Sequence, residues 1–130
     1  DDIRKSKEIL VKNNIKKFIL LNVSAGFHSK YMIKAQNQLS DQIETLKFIE
    51  NEIKIISNYD AGIYKDNLII KKNLQNQMAN KVNWTKSIRN LEDIGEKNII
   101  EFGPNKVLSS LIKRISNNFD IVSINSISDL

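Results

Sequence analysis

His28 is the chain's only histidine, and it lies in the string VSAGFHSKYM, residues 23–32. Histidine is the side chain whose ordinary pKa, about 6.5, lets it take and return protons near neutral pH. Ser24 and Ser29 flank it, and a serine paired with a histidine base is a common arrangement for acyl transfer through a covalent intermediate. A nucleophilic serine of that kind sits on a strained strand-to-helix elbow with glycine on both sides, G-x-S-x-G. No such string occurs, and neither serine has that setting. On the residues alone two readings of His28 stay open: a general base, or a capping or solvent-exposed imidazole.

The elements that must position His28 follow from hydrophobic spacing. Residues 2–14 predict a helix with a loosely defined apolar stripe, Ile3, Ile9, Leu10 and Val11. KKFILL, residues 16–21, predicts a short buried strand, and residues 22–29 a loop with Gly26. Met32, Ala35, Leu39, Ile43 and Leu46 recur at helical steps, which predicts a helix over 30–46 with Ser29 as its N-cap. A second strand is expected over 53–57, with a turn at Asn58, Asp60 and Gly62. Helices are expected over 66–79 and 84–94. Thr85 is a candidate cap for the latter, and Gly95 its stop. A third strand, 98–102, leads through Gly103-Pro104-Asn105 into a helix over 107–115 and a last strand over 119–124. Trp84 is expected to pack its helix onto the sheet.

Strands alternating with helices predict an α/β fold with a mostly parallel sheet covered by helices. Ligands in such folds sit beyond the carboxyl ends of the strands. His28, Asn58 and Gly103 each follow a predicted strand and so fall on one rim.

Composition narrows the classes. Apolar residues at 41% and charged residues at 27% are those of a globular chain. There is no cysteine, so disulfides and thiolate metal sites are excluded, and no metal or cofactor is expected. No apolar run reaches the roughly 20 residues that span a bilayer, and the first residues, DDIRKSKEIL, are unlike a signal peptide. The expectation is a cytoplasmic protein without a membrane partner. The net charge is +5, but only three of 20 basic residues are arginine: Arg4, Arg89 and Arg114. Readers of bases and phosphates lean on arginine forks. Scattered lysines among many isoleucines and asparagines do not make a nucleic-acid surface.

Four segments in order resemble one family. VSAGFHSKYM is similar to the histidine segment of malonyl-CoA:acyl carrier protein transacylases. IISNYDA, residues 55–61, resembles their strand and turn, and QNQMANKVNWTKSI, residues 75–88, their glutamine segment and following helix. IIEFGPNKVLSSLIKRI, residues 99–115, resembles their strand, Gly-Pro turn and helix. The resemblance extends over residues 16 to about 124.

The resemblance implies acyl transfer in fatty-acid synthesis. A serine takes the malonyl group from malonyl-CoA as an ester, and the phosphopantetheine thiol of acyl carrier protein then receives it. His28 matches the family's catalytic histidine. Gln77 matches the glutamine whose backbone carbonyl holds the histidine's other ring nitrogen, where many hydrolases use a carboxylate. A plain polar helix residue is the other reading of Gln77. Asn58 matches a turn near the substrate, or else caps that turn. Phe27 matches a position where a bulky ring narrows the space beside the acyl α-carbon and favours malonyl; its other reading is a buried loop anchor. Lys106, Lys113 and Arg114 are candidates for steering an acidic carrier protein.

The family's GHSxG-type serine segment, its oxyanion amides and its malonyl-binding arginine have no counterpart in these residues. The resemblance therefore implies the C-terminal part of the enzyme. Residues 1–24 are expected to be the last helix and strand of a ferredoxin-like small subdomain. Residues 25–130 are expected to be the second half of an α/β-hydrolase-like core, with the missing N-terminal part as a necessary partner. Without it the chain is expected to be inactive. A piece of a polyketide synthase acyltransferase and a non-catalytic half-domain that docks acyl carrier protein stay open as alternatives. The short ending SINSISDL favours the stand-alone enzyme over the polyketide synthase piece.

Overall fold

The computed structural model describes residues 2–20, 22–50 and 52–129. Helix α1, Asp2–Lys12, ends in a Schellman turn. Asn14 takes a left-handed φ of 61°, and the Ile15 amide reaches back to the Leu10 carbonyl at 3.0 Å. Residues 15–20 have no regular structure and, among the described residues, join no ladder. Ile19 is 64% exposed and Leu20 48%. The strand expected over 16–21 is therefore not formed over 16–20, because a strand needs a neighbour to take up its amides and carbonyls. Leu21 lies outside the described residues.

A single 3₁₀ turn, Lys30–Met32, leads into α2, Ile33–Thr45. Ser29 holds the extended backbone of an N-cap, but its hydroxyl donates 2.6 Å to the Gly26 carbonyl and caps nothing. Helix α3, Asn67–Asn76, is capped by Asp66, whose carboxylate accepts from the Leu68 and Ile69 amides at 2.8 and 3.0 Å. Buried Ile43 and Ile70 belong to these two helices, and polar bonds staple them. Gln75 reaches Glu44 at 2.9 Å, and Lys71 donates to the Glu44 carbonyl at 2.8 Å. Lys71 also reaches the Glu44 carboxylate at 3.2 Å, and this contact with the Gln75 bond holds that carboxyl below its usual range.

Strands β1, Ile55–Ile56, and β2, Ile63–Tyr64, form a two-residue antiparallel hairpin. β2 was not expected, since it is two residues long and follows a turn without periodicity. The turn between them buries Ala61 completely at a φ of 65°. Gly62 is needed there, because a Cβ would lie 2.1 Å from the Tyr64 hydroxyl.

Helix α4, Trp84–Asp93, starts at Asn83; Thr85 lies inside the helix and does not cap it. Gly95 ends α4 at a φ of 84°. Strand β3, Asn98–Phe102, helix α5, Val107–Lys113, and strand β4, Asp120–Ile124, make a parallel β-α-β unit in register from Asn98↔Asp120 to Phe102↔Ile124. Alternation sends Ile99 and Ile121 to one face. There they meet Ile88, Trp84 and Leu91 of α4, Ile112 of α5, Ile115 and Phe119. Glu101 shares that covered face and is buried. It accepts from the Leu108 and Ser109 amides at 2.8 and 2.9 Å and from the Ser109 hydroxyl, so a strand carboxylate caps α5. Ile100, Phe102 and Val122 on the opposite face stay open to solvent. The class is α/β as expected, and the five-residue ladder is parallel.

Candidate active site

His28 is carried on the loop before the 3₁₀ turn, at a left-handed φ of 61°. A residue with a Cβ rarely adopts that conformation, and the surroundings must hold it there. The hold comes from the turn after α3. The His28 backbone amide donates to the Met78 carbonyl at 2.9 Å. The ring's Nδ1 lies 3.0 Å from the Asn80 carbonyl and 3.2 Å from that of Gln77. Carbonyl oxygens only accept, so Nδ1 must carry the hydrogen. In the neutral ring the lone pair is then on Nε2, which makes no hydrogen bond among the described residues. The side chain is exposed. A fixed Nδ1–H tautomer with a bare, accessible Nε2 is what a general base needs. The same Nδ1–H bonds also satisfy carbonyls at the end of α3, so the geometry accommodates the capping and solvent-exposed readings of His28 as well as the general base.

Gln77 is the C-cap of α3, where helix carbonyls lack intrahelical partners and carry partial negative charge. Its carbonyl is therefore a natural acceptor, and it lies beside His28 without any part being played by its side chain. Sequence reasoning missed Met78 and Asn80, since backbone acceptors leave no signature in residue types.

Asn58 is exposed on the turn after β1. It joins Gln77 in lining two adjacent cavities. One, of about 140 Å³, also meets Ser57, Tyr64, Ile70 and Asn73. The other, of about 360 Å³, meets Leu39, Ile43 and Met78. A larger depression of about 680 Å³ lies at the opposite end of α3, around Asp66 and Leu68, away from His28 and its partners. The Asn58 turn is bolted to α4 through its carbonyls. Asn58 accepts from the Asn83 amide at 2.8 Å, Tyr59 from the Asn83 side chain, and Ala61 from Asn90 at 2.8 Å. Inside the turn, burial by itself would raise the Asp60 pKa. Hydrogen bonds from the Gly62 amide, the Tyr64 and Ser57 hydroxyls and the Asn73 amide outweigh it and hold the carboxyl below its usual range. Asp60 in turn raises the Tyr64 hydroxyl.

Phe27 stands next to His28 with 51% of its surface exposed, so it is not the buried loop anchor that was one of its readings. Ser29 bonds Gly26 and not the imidazole. The structure thus brings His28 and Gln77 into contact and places Asn58 beside Gln77. Lys106, Lys113 and Arg114 are exposed at the two ends of α5.

No protein-family model matches the chain. Curated relatives and solved structures do. The polyketide biosynthesis protein PksE of Bacillus subtilis (strain 168) is 42% identical over 104 residues, 80% of this chain and 13% of its own length. A malonyl CoA-acyl carrier protein transacylase of Bacillus subtilis is 36% identical over 110 residues, 85% of this chain and 28% of its own. The crystal structure of malonyl-CoA:acyl carrier protein transacylase from Xanthomonas oryzae pv. oryzae superposes with a TM-score of 0.88 at 31% identity, over 98% of this chain and 40% of that one. A type II polyketide acyl-carrier protein in complex with its malonyl-transacylase matches with a TM-score of 0.87 at 25% identity, over 98% of this chain and 41% of that one. The chain thus spans less than half the length of each. Along nearly all of its 130 residues the chain is similar in sequence and in fold to the malonyl-CoA:acyl carrier protein transacylases.

Proposed function

We propose that this chain supplies the histidine of a Ser-His dyad that moves a malonyl group from malonyl-CoA to the phosphopantetheine thiol of acyl carrier protein. The observation that carries this is the pinning of His28 Nδ1 by the Gln77 and Asn80 carbonyls, which turns Nε2 into the accepting nitrogen. The serine comes from residues outside these 130. His28 Nε2 takes its proton as the serine oxygen attacks the thioester carbonyl. The imidazolium then returns that proton to the departing CoA sulfur, leaving a malonyl-serine ester. In the second half Nε2 takes the proton of the carrier's thiol. The sulfur attacks the ester, and the serine oxygen leaves with the proton. Backbone carbonyls facing Nδ1–H favour the imidazolium formed in each half without adding a carboxylate.

Phe27 bounds the space beside the acyl α-carbon, and Asn58 meets the substrate from the turn whose cavities it lines. Residues 1–24 belong to a small ferredoxin-like subdomain and 25–130 to the second half of the core. The open face of β3 and β4 supports the reading of 25–130 as only part of a core, because parallel strands are normally covered on both sides. The work is cytoplasmic, in fatty-acid or polyketide assembly; the 42% identity to PksE favours the polyketide setting as a second reading.

The test is malonyl transfer to acyl carrier protein, read by intact mass. It is run with the chain alone and with a separately produced N-terminal half of a complete relative. Transfer only in the mixture, lost with His28→Ala, is expected. No transfer by a folded, associated mixture overturns the reading in favour of a non-catalytic half-domain that docks the carrier.

A further inference from the structure

We propose that Gln36, a half-buried residue of α2, is a positioning residue that sets the ring tautomer of His28. Its side-chain oxygen accepts the Ala79 amide at 2.8 Å. That amide belongs to the same planar peptide unit as the Met78 carbonyl, and in a trans peptide the N–H and C=O point to opposite sides. Gln36 therefore grips one edge of the plane while the His28 amide grips the other, 2.9 Å from the Met78 oxygen. The Asn80 carbonyl, two residues further along the same turn, is the nearer acceptor of Nδ1–H. The left-handed backbone of His28 and the direction of its ring both depend on this turn. Asn80 donates from its side chain to the Asn76 carbonyl at 2.8 Å, which ties the turn's far end to α3. Its near end has Gln36.

Without that oxygen the Ala79 amide is half-buried and unpaired, and the turn gains by rotating the peptide toward water. Rotation carries the Met78 carbonyl off the His28 amide and loosens the Asn80 carbonyl from Nδ1. Gln36 touches no reacting atom and acts through the orientation of the base. The inference rests on the reading of His28 as that base only for its catalytic consequence, and its structural content stands separately.

The test needs no acyl transfer. As the chain has one histidine, long-range proton–nitrogen NMR spectra report its tautomer without assignment ambiguity. Spectra are taken about two pH units above the ordinary imidazole pKa. The parent chain is expected to show mainly Nδ1–H, and Gln36→Glu, which keeps an acceptor, to retain it. In Gln36→Met the ratio of Nδ1–H to Nε2–H is expected to fall roughly fivefold to tenfold, the equivalent of about one net hydrogen bond. If Gln36→Met does not fold by circular dichroism, Gln36→Ala is read the same way. An unchanged ratio in a folded variant lacking the acceptor overturns the proposal. A Gln36-dependent tautomer in a chain that never supports transfer leaves this inference standing and sinks only the proposed function.

Discussion

Asn80 presents its carbonyl 3.0 Å from His28 Nδ1, closer than the Gln77 carbonyl at 3.2 Å, so the imidazole is held by a forked pair of main-chain acceptors. Two acceptors in place of one carboxylate change what mutagenesis should find. The Asn80 side chain carries a local bond to the Asn76 carbonyl, and both main-chain acceptors survive any substitution that leaves the turn intact. Gln77→Ala is therefore expected to keep transfer in the reconstituted enzyme within a few fold of the parent. His28→Ala is expected to lose about 10²–10⁴-fold, the usual worth of a positioned acid–base group. Rates of malonyl loading onto acyl carrier protein check both. Equal losses would mean that the Gln77 side chain, not its carbonyl, does the holding.

Gly62 is predicted to be intolerant of any side chain for a reason local to Tyr64. An added Cβ would meet the Tyr64 hydroxyl at 2.1 Å and its ring carbons at 2.4 and 2.6 Å. The ring must then leave, and with it the 2.8 Å bond from its hydroxyl to Asp60. Gly62→Ala is expected to cost about 1–3 kcal/mol, the range for overpacking a filled site. Combining it with Tyr64→Ala should cost less than the sum of the two single changes, because the clash is gone. Urea denaturation of the four chains gives the coupling directly.

Acid is predicted to loosen the β3–α5–β4 unit. Hydrogen bonds from Ser116, Arg89 and Asn118 bring the Glu92 carboxyl down to about 2. The Ser109 hydroxyl is the chief cause that lowers Glu101, opposed by burial and aided by the Ser109 and Leu108 amides. A carboxyl whose folded pKa is depressed binds fewer protons folded than unfolded, so its contribution is full above the unfolded value and fades as pH falls toward the folded one. For Glu92 that window runs from the ordinary carboxyl value of 4.5 down to about 2. The urea midpoint should fall across it, and the fall should flatten in Glu92→Gln and Glu101→Gln. A midpoint as pH-dependent in both variants as in the parent would refute the assignment.

Much of this was legible in the sequence where local rules act alone. The β3 bounds, 98–102, and the stop at Gly95 follow from an apolar run and a glycine that tolerates positive φ. His28 stood out as the one titratable imidazole, and the four family-like segments tied it to Gln77. Where tertiary partners decide, the reading fell short. KKFIL has the composition of a strand but pairs with no neighbour among the described residues. Ser29 has the residue type of a cap but spends its hydroxyl on Gly26. The acceptors of Met78 and Asn80 are main-chain atoms, and the contribution of Gln36 depends on a contact 43 residues away. Many of the asparagines proved specific, with Asn83 and Asn90 holding the Asn58 turn.

Phe102 is predicted to matter for association and little for the fold of this chain. It is 72% exposed on the open face of the parallel pair, beside Ile100 and Val122. The opposite face already holds the packed core of Ile88, Ile112 and Phe119, so a polar residue at 102 removes nothing from it. An exposed apolar strand face is also an aggregation hazard. Phe102→Asp is thus expected to raise the solubility of the isolated chain and leave its unfolding free energy within about 0.5 kcal/mol of the parent, as for surface changes generally. If the rest of an acyltransferase core covers this face, the same change should abolish reconstitution with a separately made N-terminal half. Both halves of the outcome are needed. Better solubility with unimpaired reconstitution would place the covering elements elsewhere. A large loss of stability would mean that Phe102 already packs within this chain. Light scattering of the isolated variant and gel filtration of the mixture separate the three cases.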